Sequence, residues 1–317
     1  MMRHSGPKRF RPGRPRAGDF HVRGARPLRS SVVPLFGLLV CATINQLAPE
    51  AAGEAVRITT HGADDYHPNW SPDGKTMLFT SRRDGRTGIW RIRLPNGAPV
   101  PVATGMEGDH HISWSPDGSQ IAFDARVQDG PPTLWIIPAG GGTPHRIAEA
   151  GRPSFQPSWS PDGKSIAFAS HRSGCCNLWV VSVVDGTATQ LTSVDATDHH
   201  PSWSPDAREV FFSSDRDGDF DIWKVSLGGG EPTCVWDGSG IDDHPRCSPD
   251  GRSLIFTARD STQSVLWLMS LESGSLVPLV RGRGISWPCW SPDGAMIGYV
   301  SRETGNSDIW MRKTKGN

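Results

Sequence analysis

Four histidines stand at one position of a repeated phrase. His67, His111, His200 and His244 each lie three residues before Trp70, Trp114, Trp203 or Cys247, and Gln156 and Trp287 fill the same position in two further copies. Two residues before each histidine is an aspartate: Asp65, Asp109, Asp198 and Asp242, with Ser154 and Ile285 in the remaining copies. Neutral imidazole is a good ligand for Zn, Mn, Fe or Ni, and a carboxylate on its second ring nitrogen fixes the tautomer. Brought together, the set forms a metal or ligand site. His67, His111, His200 and His244 are its ligands, Gln156 is a weaker donor, and Asp65, Asp109, Asp198 and Asp242 stand behind them. A plainer role competes. Each aspartate then caps backbone N–H groups of its own loop, each histidine packs on the following proline, and duplication copies the whole arrangement.

The elements that must position these residues follow from the repeat. "SPDG" or a near variant begins at Ser71, Ser115, Ser160, Ser204, Ser248 and Ser291, in steps of 44, 45, 44, 44 and 43 residues. A Trp after an aliphatic residue falls at Trp90, Trp135, Trp179, Trp223, Trp267 and Trp310, in the same phase. Each period reads as four short strands, A to D. The first has A at 67–70, the SPDG turn, B over "KTMLFTS", a second Asp-Gly turn, C over "IWRIRL", and D over "VPVAT". No longer segment of this body has helical periodicity. Four antiparallel strands in about 40–45 residues is the signature of a propeller blade. The fold expected is an all-β, six-bladed β-propeller. The sixth copy ends after strand C, and Val56–Thr60 is a D strand without a blade of its own. It is expected to pair near Ile309–Arg312 and close the ring. In such a ring the loops entering strand A gather at the mouth of the central channel, which is where the Asp-x-His copies would meet.

The chain has 317 residues and no net charge, but the charge is uneven. Residues 1–30 hold nine Lys and Arg and one acid, whereas residues 56–317 hold 24 basic and 30 acidic side chains. A mildly acidic body without a Lys/Arg stripe does not suggest a nucleic-acid binder, and no nucleic-acid partner is expected. After Arg29 comes an apolar stretch of roughly 10–14 residues followed by small residues, suited to an export signal and short for a membrane span. Residues 1–55 are therefore expected to be an export segment and 56–317 the propeller, in a periplasmic or secreted monomer without a transmembrane span. The cysteines have no metal-like spacing. A disulfide between the adjacent Cys175 and Cys176 would be strained, and a Cys247–Cys289 pairing is left open. The acidic turn "SDRDGDFDIW" lacks the spacing of a calcium loop and reads as a solvated hairpin. There is no G-x-S-x-G and no phosphate-binding loop.

The P-x-W-S-P-D-G phrase, an apolar strand and D-G-x-x-x-I-W, six times over residues 56–317, resemble the TolB-type PD-repeat β-propellers. The resemblance implies a periplasmic binding protein of the cell envelope, since TolB's propeller binds the lipoprotein Pal. TolB's additional N-terminal α/β domain has no counterpart here, so the resemblance is to the propeller and not to TolB proper. Oligogalacturonate lyases, which are TolB-like propellers, carry a His/Gln-bound metal in the channel. Two functions are therefore expected in order. The first is a non-enzymatic scaffold that binds an envelope protein or peptide at a propeller face, with no cofactor certain. The alternative is a metal-dependent, polysaccharide-acting enzyme with a divalent metal held by the histidine ring.

Overall fold

The computed structural model describes residues 55–102, 104–106, 111–147 and 153–314. Residues 1–54 and Asp109 lie outside these, so the expected export signal and one of the four Asp-x-His aspartates have no structural description here. Among the described residues there are six four-stranded antiparallel sheets and no helix. Blade one runs Asp65–Trp70, Thr76–Ser81, Gly88–Arg93 and Val100–Pro101 from A to D. Blade six has Ser286–Trp290, Met296–Ser301 and Asp308–Lys313, and its fourth strand is Val56–Arg57. Val56 pairs with Met311 and Arg57 with Trp310. Beyond the pair, Ile58 N–H donates to Ile309 O at 2.7 Å, and Ile309 N–H donates to Thr59 Oγ1 at 3.0 Å. The ring thus closes as the sequence requires, and both end blades have a full complement of four strands.

The core is six wedges, one between each pair of neighbouring blades. Each strand B carries a fully buried aromatic: Phe79, Phe123, Phe168, Phe212 and Phe256, with Tyr299 almost buried in blade six. The strand-A tryptophans fill the wedge toward the preceding blade; Trp203 packs on Ala167 and Leu178, and its Nε1 donates to Ser158 O at 2.9 Å. Cys247 replaces that tryptophan in blade five, and Trp236 from strand D of blade four packs against the same wedge. Cys175, Cys176, Cys234, Cys247 and Cys289 are all free thiols.

The SPDG turns work as backbone chemistry. Ser71 Oγ donates to Asp73 Oδ1 at 2.5 Å, Lys75 N–H donates to the same oxygen at 3.0 Å, and Thr76 N–H donates to Ser71 Oγ at 2.9 Å. The fourth turn residue is left-handed, with φ near +70° at Gly74, Gly118, Gly163, Gly251 and Gly294. Blade four has Ala207 there, at φ +58°. An L-residue pays for that conformation where glycine does not. Ala207→Gly should therefore stabilise the protein by ~0.5–1 kcal/mol, read as an upward shift of the urea midpoint with unchanged slope.

Candidate functional site

Neighbouring A strands touch around the axis, and the loops from strand D to strand A converge at one end of the channel. There the residue in the histidine position is a bulge. The register slips between Tyr66 and Asn69 in blade one, and again at the same point in blades three to six. The bulged residues are left-handed: φ is +54° at His67, +58° at Gln156, +55° at His200, +56° at His244 and +52° at Trp287. Positive φ is uncommon for side-chain-bearing residues, and such residues concentrate at functional sites. The bulge also breaks strand alternation, so a side chain two residues earlier does not share the imidazole's environment.

That break corrects one expectation. Asp65 and Asp198 do not back the imidazoles. They are fully buried, and Arg83 and Arg216 hold them at 3.1 and 2.9 Å. The arginines in turn stack on Phe79 and Trp90, and on Phe212 and Trp223, at 4.6–5.1 Å. In blade three Arg172 donates to Ser154 in the same way. Asp242 has no arginine; burial, and then Asp221, push its carboxyl up to about 7.

The imidazoles have other partners. His67 Nδ1 meets Thr80 Oγ1 at 2.9 Å, His111 Nδ1 meets Asp124 Oδ1 at 2.9 Å, and His244 Nδ1 meets Thr257 Oγ1 at 3.2 Å. His200 Nδ1 lies 2.6 Å from Asp243 Oδ1, which also accepts Ser213 Oγ and His244 N–H, each at 2.7 Å. Asp124 further accepts the N–H of His111 and Gln156, and Gln156 Oε1 accepts His200 N–H at 3.0 Å. A continuous hydrogen-bonded belt thus runs from His111 through Asp124, Gln156, His200 and Asp243 to His244, tying blades two to five around the mouth.

Asp124, Asp243, His199 and Trp287 belong to this site and do not stand out in any single repeat. Aligning the repeats exposes part of it. The residue thirteen after each ring position is Thr80, Asp124, Ser213 or Thr257 behind a histidine, but Ala169 behind Gln156 and Val300 behind Trp287.

The ring does bring His67, His111, His200 and His244 together, but around an indole. Trp287 lies 4.1, 5.3, 4.8 and 4.0 Å from their centroids, respectively. A cavity of about 30 Å³ remains there, lined by His67, His111, Gln156, His200, Arg246 and Trp287 among others, space for a single water. Burial, with the neighbouring imidazoles, holds His67 well below the ordinary value, and burial lowers His244 to about 4. His200 is also pushed well below by burial, against the pull of Asp243. Burial pushes Asp243 up, but His200 and His244 outweigh it and hold the carboxyl well below its ordinary value. The arrangement that satisfies both is a neutral His200 donating Nδ1–H to an ionised Asp243. The Nε2 atoms of His200 and His244 are then buried acceptors without a partner.

The TolB beta propeller domain (PD40) profile matches residues 112–317. The chain belongs to this family. Among solved structures, this TolB-family propeller is similar to a "putative TolB" from Agrobacterium tumefaciens, at 27% identity over 84% of this chain and 98% of that one, with a TM-score of 0.69. TolB from Acinetobacter baumannii matches at 20% identity over 80% of this chain and 65% of its own, TM-score 0.60. An oligogalacturonate lyase in complex with manganese shares the fold at 13% identity, over 83% of this chain and 94% of that one, TM-score 0.60. No curated protein matches. None of the described residues forms a helix long and apolar enough to cross a membrane.

The buried imidazoles of this TolB-family propeller make its stability depend on pH. A histidine whose folded pKa lies below its unfolded value, 6.5, binds fewer protons folded than unfolded, so stability falls as pH drops below about 6.5. For His244 the loss continues to about 4. The unfolding free energy of the parent, minus that of His244→Gln, should fall by up to about 2 kcal/mol between pH 7.5 and 5. Paired urea titrations across that range measure it. The raised carboxyls of Asp221 and Asp242, common to both proteins, cancel in the difference.

Proposed function

We propose that this TolB-family propeller is an exported, non-enzymatic binding or scaffold protein of the cell envelope. It recognises a protein partner on the face that carries the D–A loops and B–C turns. One observation carries the reading: Trp287 stands among the four ring histidines and stoppers the mouth. The cavity within the ring has space for about one water, so recognition falls to the rigid surface around it. The strained bulges and the hydrogen-bonded belt make that surface rigid. The export segment at 1–55 and the periplasmic or secreted location belong to the same proposal, and His67, His111, Gln156, His200 and His244 are the floor of the binding face.

Capture of envelope proteins on the immobilised full chain tests it. Binding should be lost on altering exposed side chains of the histidine face, such as Arg126→Glu beside His111 and Asp124, and kept on altering the SPDG face, such as Arg252→Glu. Capture indifferent to both faces overturns the reading, as does fractionation that finds the intact chain in the cytosol.

A second reading, a metal-dependent enzyme acting on a polysaccharide, rests on a separate observation. His200 Nδ1 lies 2.6 Å from Asp243 Oδ1 and also 2.8 Å from His199 Nδ1. One ring nitrogen cannot donate to the first and accept from the second at once. A divalent cation among His199 Nδ1, His200 Nδ1 and Asp243 Oδ1 would satisfy all three, and these atoms are close enough to share one. The residues fit an ion there better than at the centre of the four-histidine ring. An ion at the ring's centre would have to displace the indole and sit near the Arg246 guanidinium. A bound cation would supply Lewis-acid polarisation of a substrate oxygen. Elemental analysis of the purified chain separates the readings. The scaffold reading expects far less than one metal per chain. Near-stoichiometric metal that is lost in His199→Ala would move the assignment to the enzyme.

A further inference from the structure

Blades five and six depart from the other repeats at the face that carries the site. In blade four, the turn between Glu209–Ser214 and Asp221–Ser226 takes six residues, 215–220. In blade five, the turn between Ser253–Arg259 and Ser264–Ser270 takes four, 260–263. Only residues 283–285 connect Leu276–Gly282 to the first strand of blade six, whereas 191–197 connect blades three and four. The difference is mostly longer strand pairing: Ser248 to Trp267 spans the same 19 positions as Ser204 to Trp223, and the stretch from Trp267 to Trp290 is one residue shorter than that from Trp223 to Cys247. Between the two blades lies a cleft of about 640 Å³, reaching from the rim to Asp243 and His244.

Arg259, Arg283 and Arg302 line this cleft, and all three are exposed. They differ from the arginines of blades one, three and four. Arg83, Arg172 and Arg216 stand two residues after strand-B Ser81, Ser170 and Ser214, and are used up on Asp65, Ser154 and Asp198. In blades five and six that position is Asp260 and Glu303, and the arginine has moved one residue earlier, to Arg259 and Arg302. None of the three cleft guanidinium groups has a hydrogen bond or ion pair among the described residues; Arg302 does lower Asp64 through space.

The acids nearby are already engaged. Asp260 Oδ1 accepts Thr262 N–H, Thr262 Oγ1 and Gln263 N–H at 2.6–2.9 Å. Asp243 is held by His200, Ser213 and His244, and Glu303 lies against Gly282 outside the lining. The site is also built in its backbone. Gly284 is left-handed at φ +64°, and the Arg302 stem lies where a β-carbon at residue 284 would stand. The missing side chain lets Arg302 lie across the loop toward the cleft. Three uncommitted guanidinium forks therefore face one polar cleft on a body that is acidic overall.

We infer that the cleft between blades five and six binds an acidic peptide segment, its carboxylates taken by Arg259, Arg283 and Arg302. Guanidinium groups pair with carboxylates in bidentate geometry. Gln263, Ser261, Thr262 and Ser264 add amide and hydroxyl groups suited to a peptide backbone. The inference deepens the protein-binding reading and rests on it.

The test uses the full chain and a fluorescein-labelled peptide of alternating Glu and Gly, read by anisotropy. Alternating Gln-Gly and unlabelled oligogalacturonate serve as competitors. Binding should saturate, weaken with added salt, and weaken by roughly tenfold or more in Arg259→Gln/Arg283→Gln/Arg302→Gln. Gly284→Ala should weaken it as well, by displacing Arg302, and the melting temperatures will show that each variant is folded. Three outcomes overturn the inference: no saturation at millimolar peptide, affinity unchanged in the triple variant, or competition by oligogalacturonate far stronger than by unlabelled acidic peptide. Envelope capture that depends on the histidine face, without peptide binding, removes the cleft assignment alone. Peptide binding without face-dependent capture removes the partner reading instead.

Discussion

Everything in this molecule depends on closing a ring of six wedges. A twisted four-stranded blade cannot bury both of its faces alone; it needs a neighbour on each side, and the last blade must meet the first. The closure is a short one. Val56 and Arg57 pair with the strand Asp308–Lys313, and the bonds of Ile58 and Thr59 to Ile309 continue it. Once closed, each buried aromatic of strand B and each strand-A tryptophan has a wall on both sides. The structure then tolerates features that would be costly on a softer scaffold.

The mouth of the channel is where that tolerance is used. Five side-chain-bearing residues are held left-handed at equivalent bulges. Together they bring imidazoles, an amide and an indole to one point. Burial there holds His67, His200 and His244 below the ordinary imidazole value, and two carboxylates, Asp124 and Asp243, gather most of the donors of the belt. The result is a hard, nearly closed floor. Next to it, between blades five and six, lies a cleft whose three guanidinium groups make no hydrogen bond or ion pair among the described residues.

Much of this was legible in the residues themselves. Two markers in phase named the propeller, and Val56–Thr60, with no blade of its own, named the closure. The histidine ring was legible as a convergence. Its carboxylate partners are not legible from spacing: Asp65 and Asp198 stand two residues before histidines, but the bulge turns them away from the imidazoles. Arg83 and Arg216 took them instead, through a turn eighteen residues away in sequence. Trp287 read as a departure from the histidine pattern; only its position inside the ring reveals it as the stopper.

The repeat, the number of blades, the closing strand and the convergence of the four histidines and Gln156 are written in the residues, because periodic packing leaves a periodic trace. Only the folded chain shows which groups meet: Asp243 with His200, Trp287 among four imidazoles, and Arg259, Arg283 and Arg302 around one cleft between two blades. Those contacts run between neighbouring blades and through a local backbone inversion. Side-chain spacing along one strand does not encode either of them.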